Sequence, residues 1–199
     1  MTRYEIVLAD FPWPYTTCGT AKLPYACMTE QECADFDWSR WLAPRCVLFV
    51  WVTGPKLDLQ FRCVEAWKRR HGLRYIGVPY KWIKTTRAGA PIGAAGPRPT
   101  LVKPLGEDVI ALTNVKRGRP FPLLTEAQVQ WCDDSDCISD AHEVLASKPR
   151  RGEHSRKPAI VRDKIVGLLG DRPRVELFAR ERVEGWGGWG DEYPEGASS

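Results

Sequence analysis

Seven consecutive apolar residues, Cys46-Val47-Leu48-Phe49-Val50-Trp51-Val52, set the first limit on this chain. A run so rich in β-branched and aromatic side chains has no polar face to turn to water. It reads as a strand buried on both sides, the situation found in parallel sheets with helices on both faces. The flanking pattern agrees. Tyr4 to Ala9 reads as a first strand. Lys56 to His71 predicts a helix with Leu57, Phe61 and Val64 on one face, stopped by Gly72. Leu73 to Ile83 reads as one or two strands, Asp108 to Val115 as another, Glu143 to Ala146 as a short one and Arg174 to Ala179 as the last. Thr29 predicts the cap of a helix running to about Leu42, with Glu30 and Glu32 in its first turn. Pro158 fits the first turn of a further helix with Val161, Ile165 and Leu168 on its apolar side, and Gly170 ends it. Strands alternating with helices predict an α/β fold: a Rossmann-like, mostly parallel sheet with helices on both faces.

With 199 residues, 43% of them hydrophobic, the chain can bury one sizeable core. Residues 1–192 are expected to form a single domain, with 193–199 a frayed tail. The Gly-, Pro- and Ala-rich stretch 84–100 has no core-forming pattern and reads as a mobile loop. Residues 116–140 show no regular pattern. No apolar run approaches the ~20 residues of a membrane-spanning helix. Met1 leads directly into a charged segment and a short strand, so no secretory leader is expected. Seven cysteines is an odd number, and Cys46 and Cys63 lie in apolar runs, which suits a reduced cytoplasmic protein. Cys132, Cys137 and His142 match no standard zinc spacing, so no metal is expected. A net charge of +4 excludes a polycation. The basic residues are nevertheless uneven, with Lys148, Arg150, Arg151, Arg156 and Lys157 crowded together. Such a run is by default a solvated face.

Asp10-Phe11-Pro12-Trp13 follows the first strand. It sets a carboxylate, a turn and an aromatic ring at a strand's carboxyl end, the edge where α/β sheets hold ligands. The set suits the exocyclic amine of a flat base. Trp13 would stack on the ring, while Asp10 and the Pro12 carbonyl would accept the two amine hydrogens. Taken alone, the four residues fit a strand end with Phe11 and Trp13 in the core at least as well.

Further segments extend the pattern. They are Leu23-Pro24-Tyr25 with Met28-Thr29, Lys81-Trp82-Ile83-Lys84, Ser155-Arg156-Lys157-Pro158, and Val175-Glu176-Leu177-Phe178-Ala179-Arg180 with Trp186 and Gly190-Asp191-Glu192 behind it. In this order they resemble the MT-A70 group of N6-adenine methyltransferases, which modify adenine in RNA or DNA with S-adenosylmethionine. The resemblance runs from Tyr4 to Glu192. It implies that Asp10, Pro12 and Trp13 are catalytic and that Phe11, Tyr25 and Ser155 border the target base. The cofactor would be held by Asp10, Lys157, Glu176, Leu177, Phe178, Arg180, Arg182, Asp191 and Glu192. Apart from the resemblance, the basic run that flanks Ser155 and Lys157 suggests that Lys148, Arg150, Arg151 and Arg156 border the cleft and meet nucleic acid, with Lys84, Arg87 and Arg98 closing from the loop opposite.

This chain departs from the group's pattern at four places. Phe11 stands for the first Pro of Asp-Pro-Pro-Trp and loosens the turn. Ala179 stands for Gly, Arg182 for His, and Asp191-Glu192 for Asn-Gln. DNA is the expected substrate, with RNA the alternative, and a homodimer or a heterodimer with a related subunit is the expected assembly. A catalytically inactive, nucleic-acid-binding subunit is the reading from a different class. The small size fits, by analogy, a stand-alone microbial or viral enzyme.

Overall fold

The computed structural model describes residues 2–14, 26–86, 88, 90, 106–124, 143–147 and 156–194, with 143–147 described in backbone only. Among these residues seven strands form one sheet: β1 (Tyr4–Ala9), β2 (Leu42–Thr53), β3 (Arg74–Lys84), β4 (Gly106–Thr113), β5 (Glu143–Ser147), β6 (Arg174–Leu177) and β7 (Gly187–Trp189). Their order is β5-β3-β4-β2-β1-β6-β7. The β1–β2, β1–β6, β3–β5 and β6–β7 pairs are parallel, and only β4 runs against its neighbours β2 and β3. The mostly parallel sheet read from the sequence is the one that forms.

Among the described residues three α-helices cover it: α1 (Glu30–Ala34), α2 (Leu57–His71) and α3 (Ala159–Leu169). Successive side chains of a strand point to opposite faces. In β1, Val7 and Ala9 pack with Leu59, Cys63, Val64 and Trp67 of α2. Ile6 and Leu8 pack with Val161, Ile165, Leu168 and Leu169 of α3 on the other face. All four β1 residues are buried, and full burial of a Leu or Ile contributes roughly 1.5–3 kcal/mol. A one-residue slip of β1 would exchange the two faces, so the register is strongly set.

The structure corrects several local readings. Helix α2 does not bury Leu57 and Phe61, which are 39% and 43% exposed. Its buried ridge is Leu59, Gln60, Cys63, Val64 and Trp67. Two polar anchors fix that rotation: Trp67 Nε1 donates to the Cys33 carbonyl at 2.9 Å, and Gln60 Oε1 accepts from the Thr53 amide at 3.0 Å. Helix α1 starts at the expected capping box of Thr29 and Glu32 but stops at Ala34. Phe36 and Trp38 explain the early stop. Both rings contact Phe11. Residues two apart on a helix lie about 200° apart around its axis, so a continuing helix would send one of them away. Asp37 instead caps a short 3-10 turn at Trp38–Arg40. Strand β6 ends at Leu177 rather than Ala179, because Phe178 takes a left-handed backbone with φ 61°. It is followed by β7, which the sequence reading lacks. Pro158 caps α3 instead of entering its first turn. Among the described residues no helix is long and apolar enough to cross a membrane.

Candidate active site

Register gathers the site at one edge. Ala9 pairs with Val50 and with Leu177, so the carboxyl ends of β1, β2 and β6 emerge together. Thr53 pairs with Glu107, so antiparallel β4 brings its first residues to the same edge. Gly106 allows this approach, since a Cβ there would stand 2.5 Å from the Trp82 carbonyl oxygen of β3. Helix α1, between β1 and β2, packs on one face and α3, which leads into β6, packs on the other, so the strand order turns at β1, the switch point at which open α/β sheets form a ligand crevice.

A cleft of about 680 Å³ opens there. Its floor is Asp10, Phe11, Pro12 and Trp13, and its walls include Met28, Glu107, Lys157 and Phe178. Arg180, Trp189, Asp191 and Glu192 stand at its far end. The volume lies within the range of small-molecule sites.

Lys157, just ahead of α3, lies at the centre of the electrostatics. Its Nζ lies 3.1 Å from Asp10 Oδ1 and 2.7 Å from Glu107 Oε2, and 5.3 Å from the centre of the Trp51 ring. Lys84 pairs with the other oxygen of Glu107. Burial works to lower the Lys157 ammonium, but Asp10 and Glu107 outweigh it and hold the group charged beyond the ordinary lysine range. Burial likewise works to raise Glu107, yet Lys157 and Lys84 together hold its carboxyl at about 2. For Asp10 burial wins. Its carboxyl is raised above the ordinary aspartate value, with Lys157 opposing and Glu107 reinforcing.

The turn after Asp10 is built from inside. Phe11 is 3% exposed, and its ring centre lies 4.6 Å from Phe178, 5.0 Å from Trp13, and 5.3 Å from both Phe36 and Trp67. It is a core anchor, not a group presented to a base. The extra ring in place of Pro does not loosen the turn but ties it into an aromatic cluster. Trp13 is also buried, at 2% exposed, and its Nε1 donates to the Trp51 carbonyl at 3.2 Å. It borders the cleft but offers it almost no surface, contrary to the expected open plate. The Phe11 carbonyl accepts from the Trp13 amide at 2.8 Å and the Pro12 carbonyl from the Met28 amide at 2.9 Å. Each carbonyl keeps a second lone pair for a ligand.

The structure separates the cofactor residues expected near β6. Phe178, Arg180, Asp191 and Glu192 line the cleft, and Arg180 Nε pairs with Glu192 Oε2 at 2.8 Å. Gly190 seats this end, since a Cβ there would stand 2.8 Å from the Phe178 Cα. Leu177 is fully buried in the core. Glu176 turns toward α3 and pairs with Arg162 Nη1 at 2.8 Å, so it does not line the main cleft. Arg182 donates to the Pro194 carbonyl through Nε and Nη2 and lies outside the cleft. Arg156 is ion-paired with Glu181, and Lys84 with Glu107, so neither stands as a plain phosphate contact. Tyr25, Ser155, Arg150, Arg151, Arg87 and Arg98 lie outside the described residues, as do Cys132, Cys137 and His142.

Sequence reasoning missed Glu107, Thr53 and Trp189, and it gave Met28 no role beyond the resembling segment that contains it. Only Glu107 left a signal: with Asp108 it sets two carboxylates at the mouth of a strand that is apolar from Val109 to Leu112.

Comparison with known proteins gives the site its context. The chain is 26% identical to the type II methyltransferase M.MunI of a Mycoplasma species, over 97% of this chain and 79% of that protein. It is 26% identical to the N6-methyladenosine RNA methyltransferase MTA1 of Pyricularia oryzae, over 96% of this chain and 47% of that protein. It is 24% identical to the human N(6)-adenine-specific methyltransferase METTL4, over 95% of this chain and 37% of that protein. It thus spans half or less of the two longer relatives. The pattern of the MT-A70 family matches residues 4–192, from the first residue of β1 to the Glu192 that closes the cleft, and the chain belongs to that family of N6-adenine methyltransferases.

Proposed function

We propose that this protein transfers a methyl group from S-adenosylmethionine to the N6 amine of adenine in DNA. The observation that carries this reading is Asp10, held at the carboxyl end of β1 by Lys157 and facing a cleft of about 680 Å³. An adenine amine is a weak nucleophile, because its lone pair is delocalised into the ring. Asp10 and a carbonyl of the Phe11–Pro12 turn would accept the amine's hydrogens and orient the lone pair. Holding reacting atoms in line removes much of the barrier. A base inside a duplex must first be unstacked to reach such a pocket.

The residues present fit the cofactor. Phe178 and Trp189 offer rings to a purine, the Asp191 and Glu192 carboxylates can accept from ribose hydroxyls, and Lys157 offers a cation to a carboxylate. When bound, the cofactor supplies an electrophilic methyl group. Residues 1–192 would act as one catalytic domain. Free Cys33, Cys46 and Cys63, all buried, suit a reducing cytoplasm. A homodimer, or a heterodimer with a related subunit, is the assembly we infer.

The test supplies purified protein with methyl-labelled cofactor and matched DNA and RNA oligonucleotides, followed by nucleoside mass spectrometry. N6-methyldeoxyadenosine is the expected product. Product from RNA alone would favour the activity named for the Pyricularia relative, which is as similar to this chain as M.MunI is. Absence of product from both substrates would leave a binding subunit.

A further inference from the structure

Behind Asp10, on the α3 side of β1, lies a second and much smaller cavity of about 20 Å³. It shares Asp10 and Lys157 with the main cleft and adds Arg162 and Glu176. That volume holds one water, which needs at least about 10–15 Å³ and two to four polar partners. The walls supply the partners. Arg162 is 7% exposed. Its Nη1 donates to Glu176 and its Nη2 donates to Glu181 at 2.9 Å. Its Nε is buried and has no partner among the described residues. A buried N–H of this kind is normally satisfied by protein or by ordered water. Asp10 and Glu176 provide carboxylate oxygens at the same cavity.

The proposed reaction needs a route of this kind. The amine nitrogen gains a bond to the methyl carbon while the donor's carbon–sulfur bond breaks, its electron pair remaining on sulfur. The nitrogen then carries a positive charge and must lose one proton to become the neutral methylamine. We propose that the small cavity holds a water joining Asp10 to Glu176, and that the proton leaves the amine to Asp10 and passes through this water to Glu176. The inference rests on the methyltransferase reading above. Glu176 touches neither reactant and is a positioning residue. Exit to solvent is from Glu176 itself, whose side chain is 10% exposed.

The charges facing Glu176 support the role. Arg162 faces it from α3, Asp10 from the end of β1, and Lys157 from the segment before α3. Arg156, Arg180 and Glu181 are the other charged groups that line the cavity. Burial raises the carboxyls of both Asp10 and Glu176 above their ordinary values, so each takes up a proton more readily than an exposed acid.

Single-turnover methyl transfer across pH 5.5–9 tests the relay, with calorimetry of S-adenosylmethionine alongside. Glu176→Gln keeps the shape and the contact to Arg162. It is expected to lower the rate roughly 10- to 100-fold and to move the acidic limb of the profile, with the dissociation constant unchanged within twofold. A parental rate and profile in this variant would overturn the proposal. So would a loss that vanishes at saturating cofactor, since Glu176 would then hold the cofactor instead. A crystal structure of the parent enzyme at about 1.5 Å resolution gives a second readout that does not depend on the variant folding. It should show a water within hydrogen-bond reach of Arg162 Nε and of Asp10 or Glu176. A dry cavity in a parent that transfers at full speed would overturn the relay alone. A parent that transfers no methyl would overturn the methyltransferase reading itself.

Discussion

Glu107 at the start of β4 and Asp10 at the end of β1 share one ammonium, yet burial and charge act on them in opposite senses. Glu107 has two lysines, Lys84 and Lys157, and is held ionised far below the ordinary glutamate range. Asp10 is opposed mainly by Lys157 and more weakly by Arg180, and burial raises its carboxyl despite them. The difference divides the labour. Glu107 fixes the cation in place. Asp10 is left with unused acceptor capacity at the cleft, as a group acting on a substrate amine requires. Lys157 does not stand as a solvated cation waiting for a cofactor but as the hinge between the two.

The most severe break of this contrast is Asp10→Ala. We expect methyl transfer to fall at least ~10³-fold, a loss of about 4 kcal/mol in transition-state stabilisation. Asp10→Asn should lose less, because an amide oxygen still accepts. Truncation is not innocent for the fold, since Lys157 loses a buried partner and keeps only Glu107. Melting should therefore be measured beside activity. Wild-type transfer by Asp10→Ala would end the assignment of this edge as the active site.

The residue after Asp10 faces the other way, into the aromatic cluster. Phe11→Ala should cost about 3–5 kcal/mol of stability, the usual range for emptying a buried Phe site. Denaturant titration measures it, and a loss below 1 kcal/mol would show that the cluster closes without Phe11. Glu107→Gln comes next. A folded carboxyl at about 2 against an ordinary 4.5 contributes on the order of 3 kcal/mol. Because the folded value is the lower one, this stability is complete above pH 4.5 and fades as pH falls toward 2. Urea unfolding at several pH values should show the variant weaker than the parent at pH 7 and level with it near pH 2. A gap that does not close on acidification would mean that packing, not charge, is what Glu107 supplies. Lys157→Ala should weaken S-adenosylmethionine binding by roughly 1.5–3 kcal/mol if its ammonium also reaches the cofactor's carboxylate. An unchanged dissociation constant by calorimetry would confine Lys157 to bracing the two acids.

Most of the fold is legible in the sequence, because the strands and α3 bury what their patterns display. Strand β1 spans the residues its apolar run marks, and the Thr29 and Glu32 capping box starts α1 where it should. What escapes is set by partners distant in sequence. The end of α1 depends on Phe36 and Trp38 both reaching Phe11, and β7 is a Gly-Gly-Trp segment with no strand character of its own. The site is legible in part for the same reason. Asp10 and Lys157 are found by motif, whereas Glu107 reaches Lys157 only through the antiparallel pairing of β2 and β4. The orientation of Glu176 toward α3 follows from the inward and outward alternation of β6, where Val175 and Leu177 take the α2 face.

The smallest effect we expect is also the sharpest test of the contrast: the stability of Asp10→Asn. Asn fills the same volume and still accepts a hydrogen bond from Lys157, but it carries no charge to desolvate. The Asp10 carboxyl is raised in the folded protein, so at neutral pH its ionised form is less favourable folded than unfolded. Neutralising it removes that cost. The denaturation midpoint of Asp10→Asn at pH 7 should equal or exceed the parent's, although its methyl transfer is impaired. As pH falls through the raised value, the parent's carboxyl takes up a proton and any difference closes. Glu107→Gln moves in the opposite direction, and its difference from the parent closes only below pH 4.5, as pH falls toward 2. An Asp10→Asn midpoint clearly below the parent's at pH 7 would mean that the Lys157 contact outweighs burial, and that both acids brace the cation alike.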